Sequence, residues 1–252
     1  MGGRGGASGF PANGPIPPQP PVVPAGPQSA SETHDLQELH DYMKNLGVKV
    51  DMASLAGQTF ENVRDAAAGV EKIIQEFPQA VATFNKIRGA TLKKGELANA
   101  SIGGNITLAN YFFSKTESGL DHTYDKTVQS GFHPAGTKKG DIATHEAGHV
   151  LERALIQKAF PGNDLAARYS QAAAWNNSTM ATKVVHEAVS ELKKTPAGKG
   201  KLTSDFIKDV SRYATKNRSE TLAECVADYS RNGNSAKPLS VAVWKILKRE
   251  LG

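Results

Sequence analysis

The chain has 252 residues, 39% of them hydrophobic, which allows one large domain or one domain with appendages. Its net charge of +5 comes from scattered lysines with no DNA- or RNA-reading motif beside them, so no nucleic-acid partner is expected. The single cysteine, Cys225, excludes an intrachain disulfide, and no apolar run is long enough to span a membrane.

Residues 1–30 are rich in Gly and Pro, with the run Pro15-Ile16-Pro17-Pro18-Gln19-Pro20-Pro21. Such a segment buries too little surface to offset its ordering entropy, so a disordered or polyproline-like arm is expected there. Its start, Met1-Gly2-Gly3-Arg4, lacks the apolar core of a signal peptide, which leads to the expectation of a soluble protein.

From Ser31 the composition turns globular. A short helix is expected over 36–46, closed by Gly47. A second, over 58–76, carries Phe60, Val63, Ala67, Val70, Ile73 and Ile74 at helical spacing and stops before Pro78. A third short helix is expected over 79–88. Together these make residues 31–100 a helical N-terminal part. Residues 104–113 alternate like a strand, with Ile106 and Leu108 on one face, and 114–139 read as a loop holding Tyr124 and His133. A helix is expected from Asp141 to about Ala159, broken by Pro161-Gly162-Asn163. Further helices are expected over 164–194, interrupted near Asn176-Asn177-Ser178, then over 203–212 and 218–231. Pro238 opens a last one, with Val241, Val243, Trp244, Leu247 and Leu251 as its apolar side.

The expected 141–159 helix contains His145-Glu146-Ala147-Gly148-His149, the pattern H-E-x-x-H. On a helix both histidines share one face, as two ligands of one zinc ion require, and Glu146 beside them can take a proton from water activated by the metal. Gly148 weakens a helix by about 1 kcal/mol relative to alanine, which is easier to explain where another element must approach closely. A third ligand should come from a second helix. Glu220 and Glu224 lie four residues apart on the 218–231 helix, flanked by Ala223 and Ala227, which would let it pack against Ala147 and Gly148. On spacing alone the two glutamates are tied as ligand. His186 lacks a partner histidine and reads as a helix-surface residue, and Cys225 reads as a small buried hydrophobe.

The segment Tyr213-Ala214-Thr215-Lys216-Asn217-Arg218-Ser219-Glu220-Thr221-Leu222-Ala223-Glu224 resembles the signature of the anthrax lethal factor-like zincin domain, in which a Tyr precedes a zinc-binding Glu by seven residues and a further Glu follows one turn on. The resemblance implies an α+β, mostly helical zincin-like metallopeptidase fold over 101–252. It implies Zn²⁺ held by His145, His149 and Glu220, with Glu146 as catalytic base. It implies Glu224 as the residue that orients a ligating imidazole and Tyr213 as donor to the oxyanion. Residues 105–113, 133–137, 231–233 and 238–240 are similar to phage and prophage head-morphogenesis proteins. That likeness implies a protein or peptide substrate, with phage capsid or portal components as partners and the bacterial cytoplasm or virion as location. A metal-binding structural protein without turnover and a toxin-like effector protease are the alternatives. The interval from His149 to Glu220 is long for the family, so 163–200 is expected to be an inserted helical subdomain. In zincins an edge strand beside the metal binds extended substrate, which makes 104–113 the candidate for that strand.

Overall fold

The computed structural model describes residues 26–252, and the expected N-terminal arm falls largely outside them. The arm reaches less far than 30: Ala30 is buried and its N–H donates to Glu71 Oε2 at 2.9 Å.

In chain order the elements are α1 (Leu36–Asn45), β1 (Lys49–Val50), α2 (Met52–Leu55), α3 (Phe60–Glu76), β2 (Lys86–Ala90), β3 (Ala98–Ala100), β4 (Asn105–Ala109), α4 (Asn110–Phe113) and α5 (Glu117–Gln129). They continue with α6 (Asp141–Ala159), α7 (Leu165–Asn176), α8 (Thr179–Lys193), α9 (Thr203–Val210), α10 (Arg218–Asn232) and α11 (Pro238–Leu251). The fold is thus α+β and mostly helical, with a small mixed sheet in the order β1-β2-β4-β3. β1, β2 and β4 are parallel, with Ile87 opposite Ile106, and β3 runs antiparallel to β4, with Asn99 opposite Thr107.

Several expectations change here. Residues 78–83 form a 3-10 turn and 86–90 the strand β2, where a helix over 79–88 was expected. β2 has little apolar character of its own, and parallel pairing with β4 holds it. The strand at 104–113 ends at Ala109 and is internal; the edges are β1 and β3, and β3 is the one that borders the cavity with the histidines. The loop expected over 114–139 contains α5, whose buried side is only Leu120 and Tyr124, one turn apart, too narrow a stripe to stand out. The sheet takes strands from both sides of residue 100, and one hydrophobic cluster runs from Ala30 to Leu251, so the expected boundary at 100 passes through a shared core. Of the segment expected as an insertion, α8 belongs to that core through Ala181, Val184, Val185, Ala188 and Val189, whereas α7 buries only Ala174.

α6 is the centre of the molecule. Asp141–Gly148 are all buried, as are Val150, Leu151, Ala154, Leu155 and Ile156, because α3, the sheet and α10 cover it from different sides. A helix covered all round needs no apolar stripe. α10 crosses it antiparallel: Arg231 near the end of α10 pairs with Asp141 at the start of α6 at 2.8 Å, while Ser219 at the start of α10 reaches His149. Between these ends the backbones nearly touch. A Cβ on Gly148 would lie 2.8 Å from Ala223 Cα and 3.3 Å from Ala223 Cβ. Gly148→Ala must therefore move α10 outward. The overpacking cost of about 1–3 kcal/mol outweighs the helix-propensity gain of about 1 kcal/mol. The net cost of up to about 2 kcal/mol should lower the Tm of thermal unfolding by up to roughly 8 °C; a raised Tm would contradict the close approach.

Candidate metal centre

His145 and His149, one turn apart on α6, both direct Nε2 at a single carboxylate oxygen of α10. Glu220 Oε2 lies 3.1 Å from His145 Nε2 and 3.3 Å from His149 Nε2, and the three donor atoms fall within 4.8 Å of one another. α10 starts where it does because the Asn217 side chain caps it, accepting from the Glu220 N–H at 2.9 Å. That cap seats Glu220 in the first turn, over the histidines. The group can hold a metal ion. Two neutral imidazoles and one carboxylate are the donor types zinc takes, and the two His–Glu spacings match the ligand-to-ligand distance of about 3.3 Å around a tetrahedral zinc.

Each imidazole is oriented from behind. The Ser219 hydroxyl donates to Glu152 Oε2 at 2.5 Å, so it accepts from the His149 Nδ1–H at 2.9 Å. Glu152 is itself buried and accepts from the Ala181 N–H at the start of α8. Both Ser219 and Glu152 carry out a task that polar residues on helices do not advertise in sequence. His145 Nδ1 lies 2.7 Å from Glu224 Oε1, close enough to pair though not aligned as a hydrogen bond. Glu224 is fully buried; its Oε1 also meets His133 Nδ1 at 3.0 Å and its Oε2 accepts from Ser211 at 2.8 Å. The tie between the two glutamates thus resolves by position: Glu220 faces both Nε2 atoms and Glu224 sits behind His145. His133 is no solvated loop residue. It stacks on buried Tyr124, and backbone bonds from Arg212 and Tyr213 to Gly131 and Phe132 tie its segment to the start of the α10 region.

Burial alone would raise the carboxyl pKa of Glu220 and Glu224, but hydrogen bonds outweigh it. His145 and His149 hold Glu220 far below the usual carboxylate range, and His133 and His145 hold Glu224 at about 2. Burial pushes His145 down, yet Glu220 and Glu224 together raise it well above 6.5. Without metal, then, the two carboxylates share a proton-bearing imidazole.

Glu146 is buried and lines the cavity in front of the histidines, where desolvation raises its carboxyl pKa. Tyr213, in a 3-10 turn before α10, donates to Glu220 Oε1 at 3.2 Å, and burial pushes its phenol up to about 12, so it keeps its proton at neutral pH. Lys216, three residues on, donates to the Tyr213 hydroxyl at 3.0 Å and to Glu220 Oε1 at 3.1 Å. Sequence reading passed over Lys216; its spacing of three and four from Tyr213 and Glu220 was the available signal.

The cavity continues along β3. β4 takes the Leu97 carbonyl and the Ser101 N–H, so in this antiparallel register Ala98 and Ala100 turn their backbone groups to the free edge, which lines the cleft. A second recess opens beside Glu146, walled by Leu97, Phe112, Tyr124, Phe132 and Ile142. His186 is exposed on α8 and Cys225 is buried on the core side of α10, as expected from the sequence. Protein-family models, curated proteins and solved structures give no match to this chain.

Two outcomes follow. By calorimetric zinc titration, Glu220→Ala should abolish one-to-one binding, whereas Glu224→Ala, which removes only an orienting partner, should weaken it about 10–100-fold. The reverse ranking would reassign the ligand. Metal must also displace the His145 proton, whose pKa lies above 6.5. Binding should therefore release about one proton near neutral pH, and affinity should rise with pH until His145 is neutral in the metal-free protein. Proton release measured by titration in buffers of different ionisation enthalpy checks this; no release would contradict the protonated state.

Proposed function

We propose that the protein is a zinc metallopeptidase of lethal factor-like zincin type that hydrolyses peptide bonds. The observation that carries this reading is the position of Glu146. It shares a cavity with the three donor atoms, yet stands apart from them, its pKa raised by burial. A metal site that only braced a fold would need no such carboxylate in front of it. The central helix with its two histidines, the second helix with Glu220, and a small sheet whose free edge borders the cleft also support the zincin reading.

Bound zinc would supply Lewis acidity, bringing water into the range of a nucleophile at neutral pH and polarising a carbonyl. The chain's own groups do the rest. An extended peptide lies against β3, its backbone bonding to the edge-facing groups of Ala98 and Ala100. The Glu146 carboxylate takes the proton of the attacking water and delivers it to the leaving amine, a task suited to a carboxyl whose pKa burial raises. The Tyr213 hydroxyl, once drawn from Glu220 toward substrate, donates to the oxygen that gains charge. Lys216 holds that hydroxyl and adds positive charge at its side.

Peptide-library cleavage tests this. Zinc-loaded wild type should cleave and a chelator should stop it. Glu146→Gln should keep its zinc and lose activity by about 10²–10⁴-fold. Tyr213→Phe should lower kcat by about 10²-fold with zinc retained. Equal cleavage by wild type and Glu146→Gln would remove the proposed base, and no cleavage by the zinc-loaded wild type would remove the reading.

A further inference from the structure

The cleft has one wall that the proposed chemistry does not use. The β2–β3 connection folds back in a turn in which the Glu96 N–H donates to the Lys93 carbonyl at 3.0 Å. Gly95 sits at its third position with φ +85°, which a type II turn requires. This turn fixes Lys93 and Lys94 at the mouth of the cavity that holds His145, Glu146, His149 and Glu220. Both lysines are exposed, and neither makes an ion pair among the described residues. Three carboxylates share that cavity with the lysines, and none of them pairs with Lys93 or Lys94. Glu96 accepts from the Asn99 side chain at 2.9 Å, Glu220 faces the histidines, and Glu146 is the proposed base. On its far side the turn borders a second hollow with Tyr111, Phe112 and Lys115, where the Lys115 ammonium lies 5.1 Å from the Tyr111 ring centre. The turn therefore places two lysines, opposed within it by the single charge of Glu96, at the cavity and next to a free strand edge.

The backbone groups of that edge, at Ala98 and Ala100, favour an extended polypeptide over a nucleic acid, whose backbone cannot continue a sheet. We propose that the cleft selects extended peptides carrying an aspartate or glutamate where the chain passes the Lys93–Lys94 turn; this rests on the peptidase reading of the same site. Two exposed charge pairs are individually weak, and they act on selectivity by favouring acidic chains and repelling basic ones. Such contacts are screened by salt, which gives them a signature.

The test measures binding and cleavage separately. Fluorescent peptides that differ only by Asp and Glu against Asn and Gln are titrated by anisotropy into zinc-loaded Glu146→Gln protein, with and without Lys93→Glu and Lys94→Glu. The acidic peptide should bind about 3- to 10-fold tighter at low salt, and the advantage should vanish or invert in the charge-reversed protein. Equal binding of the two peptides would overturn the proposal. So would a preference that survives the lysine reversal, or displacement of the acidic peptide by a single-stranded oligonucleotide of equal charge. Cleavage of a library by wild type without acidic preference would overturn this inference and leave the peptidase reading standing. Acidic-selective binding by a protein that cleaves nothing would do the opposite.

Discussion

The structure turns on the contact between Gly148 of α6 and Ala223 of α10. Only because neither residue presents bulk at the crossing can the two backbones come so near. That approach carries Glu220, three residues before Ala223 on α10, over both histidine rings. It also brings Ser219 to His149 and Glu224 to His145, so the donor atoms and the groups that orient them come from one helix pair. α3, the sheet, α8 and α11 enclose this pair on the remaining sides.

Enclosure makes the electrostatics consequential. Glu146, Glu152 and Glu224 are buried with His145 in a molecule whose other buried side chains are mostly apolar. Isolated, such charges are costly to desolvate. Here Glu220, His145, Glu224 and His133 alternate, carboxylate against imidazole, and the carboxylates behind the donor atoms end on a hydroxyl or a backbone N–H: Glu224 on Ser211, Glu152 on Ser219 and the Ala181 N–H. Linkage sets the sign. The depressed Glu220 and Glu224 stabilise the fold above the ordinary carboxylate pKa and lose that contribution as pH falls through their folded values. The raised His145 contributes below 6.5 and is lost as pH rises through its folded value. The metal-free protein therefore has its pairing intact between those limits.

Much of the site was legible in sequence because it is written in local spacing. Four-residue intervals place His145 with His149 and Glu220 with Glu224, and small residues at 147, 148, 223 and 227 mark the faces that meet. Helices α6 to α11 also fall close to their expected positions, since caps and breakers such as Asn217, Pro161-Gly162 and Pro238 act locally. What was hidden depends on distant partners. β2 exists through its pairing with β4, and β3, not the more apolar β4, is the edge that borders the cavity. His133 belongs to the site only because its segment bonds to residues 212 and 213, and Ser219 and Glu152 are polar residues whose partners lie on other helices; Lys216, by contrast, stands three and four residues from its partners.

The central claim is that His145, His149 and Glu220 converge on one zinc ion. An anomalous difference map at the zinc edge, from crystals of the zinc-loaded protein, tests it most directly. A single peak about 2.0–2.2 Å from His145 Nε2, His149 Nε2 and a Glu220 oxygen is the expected result. No peak, or a peak bound instead by Glu224 and His133, would contradict the account.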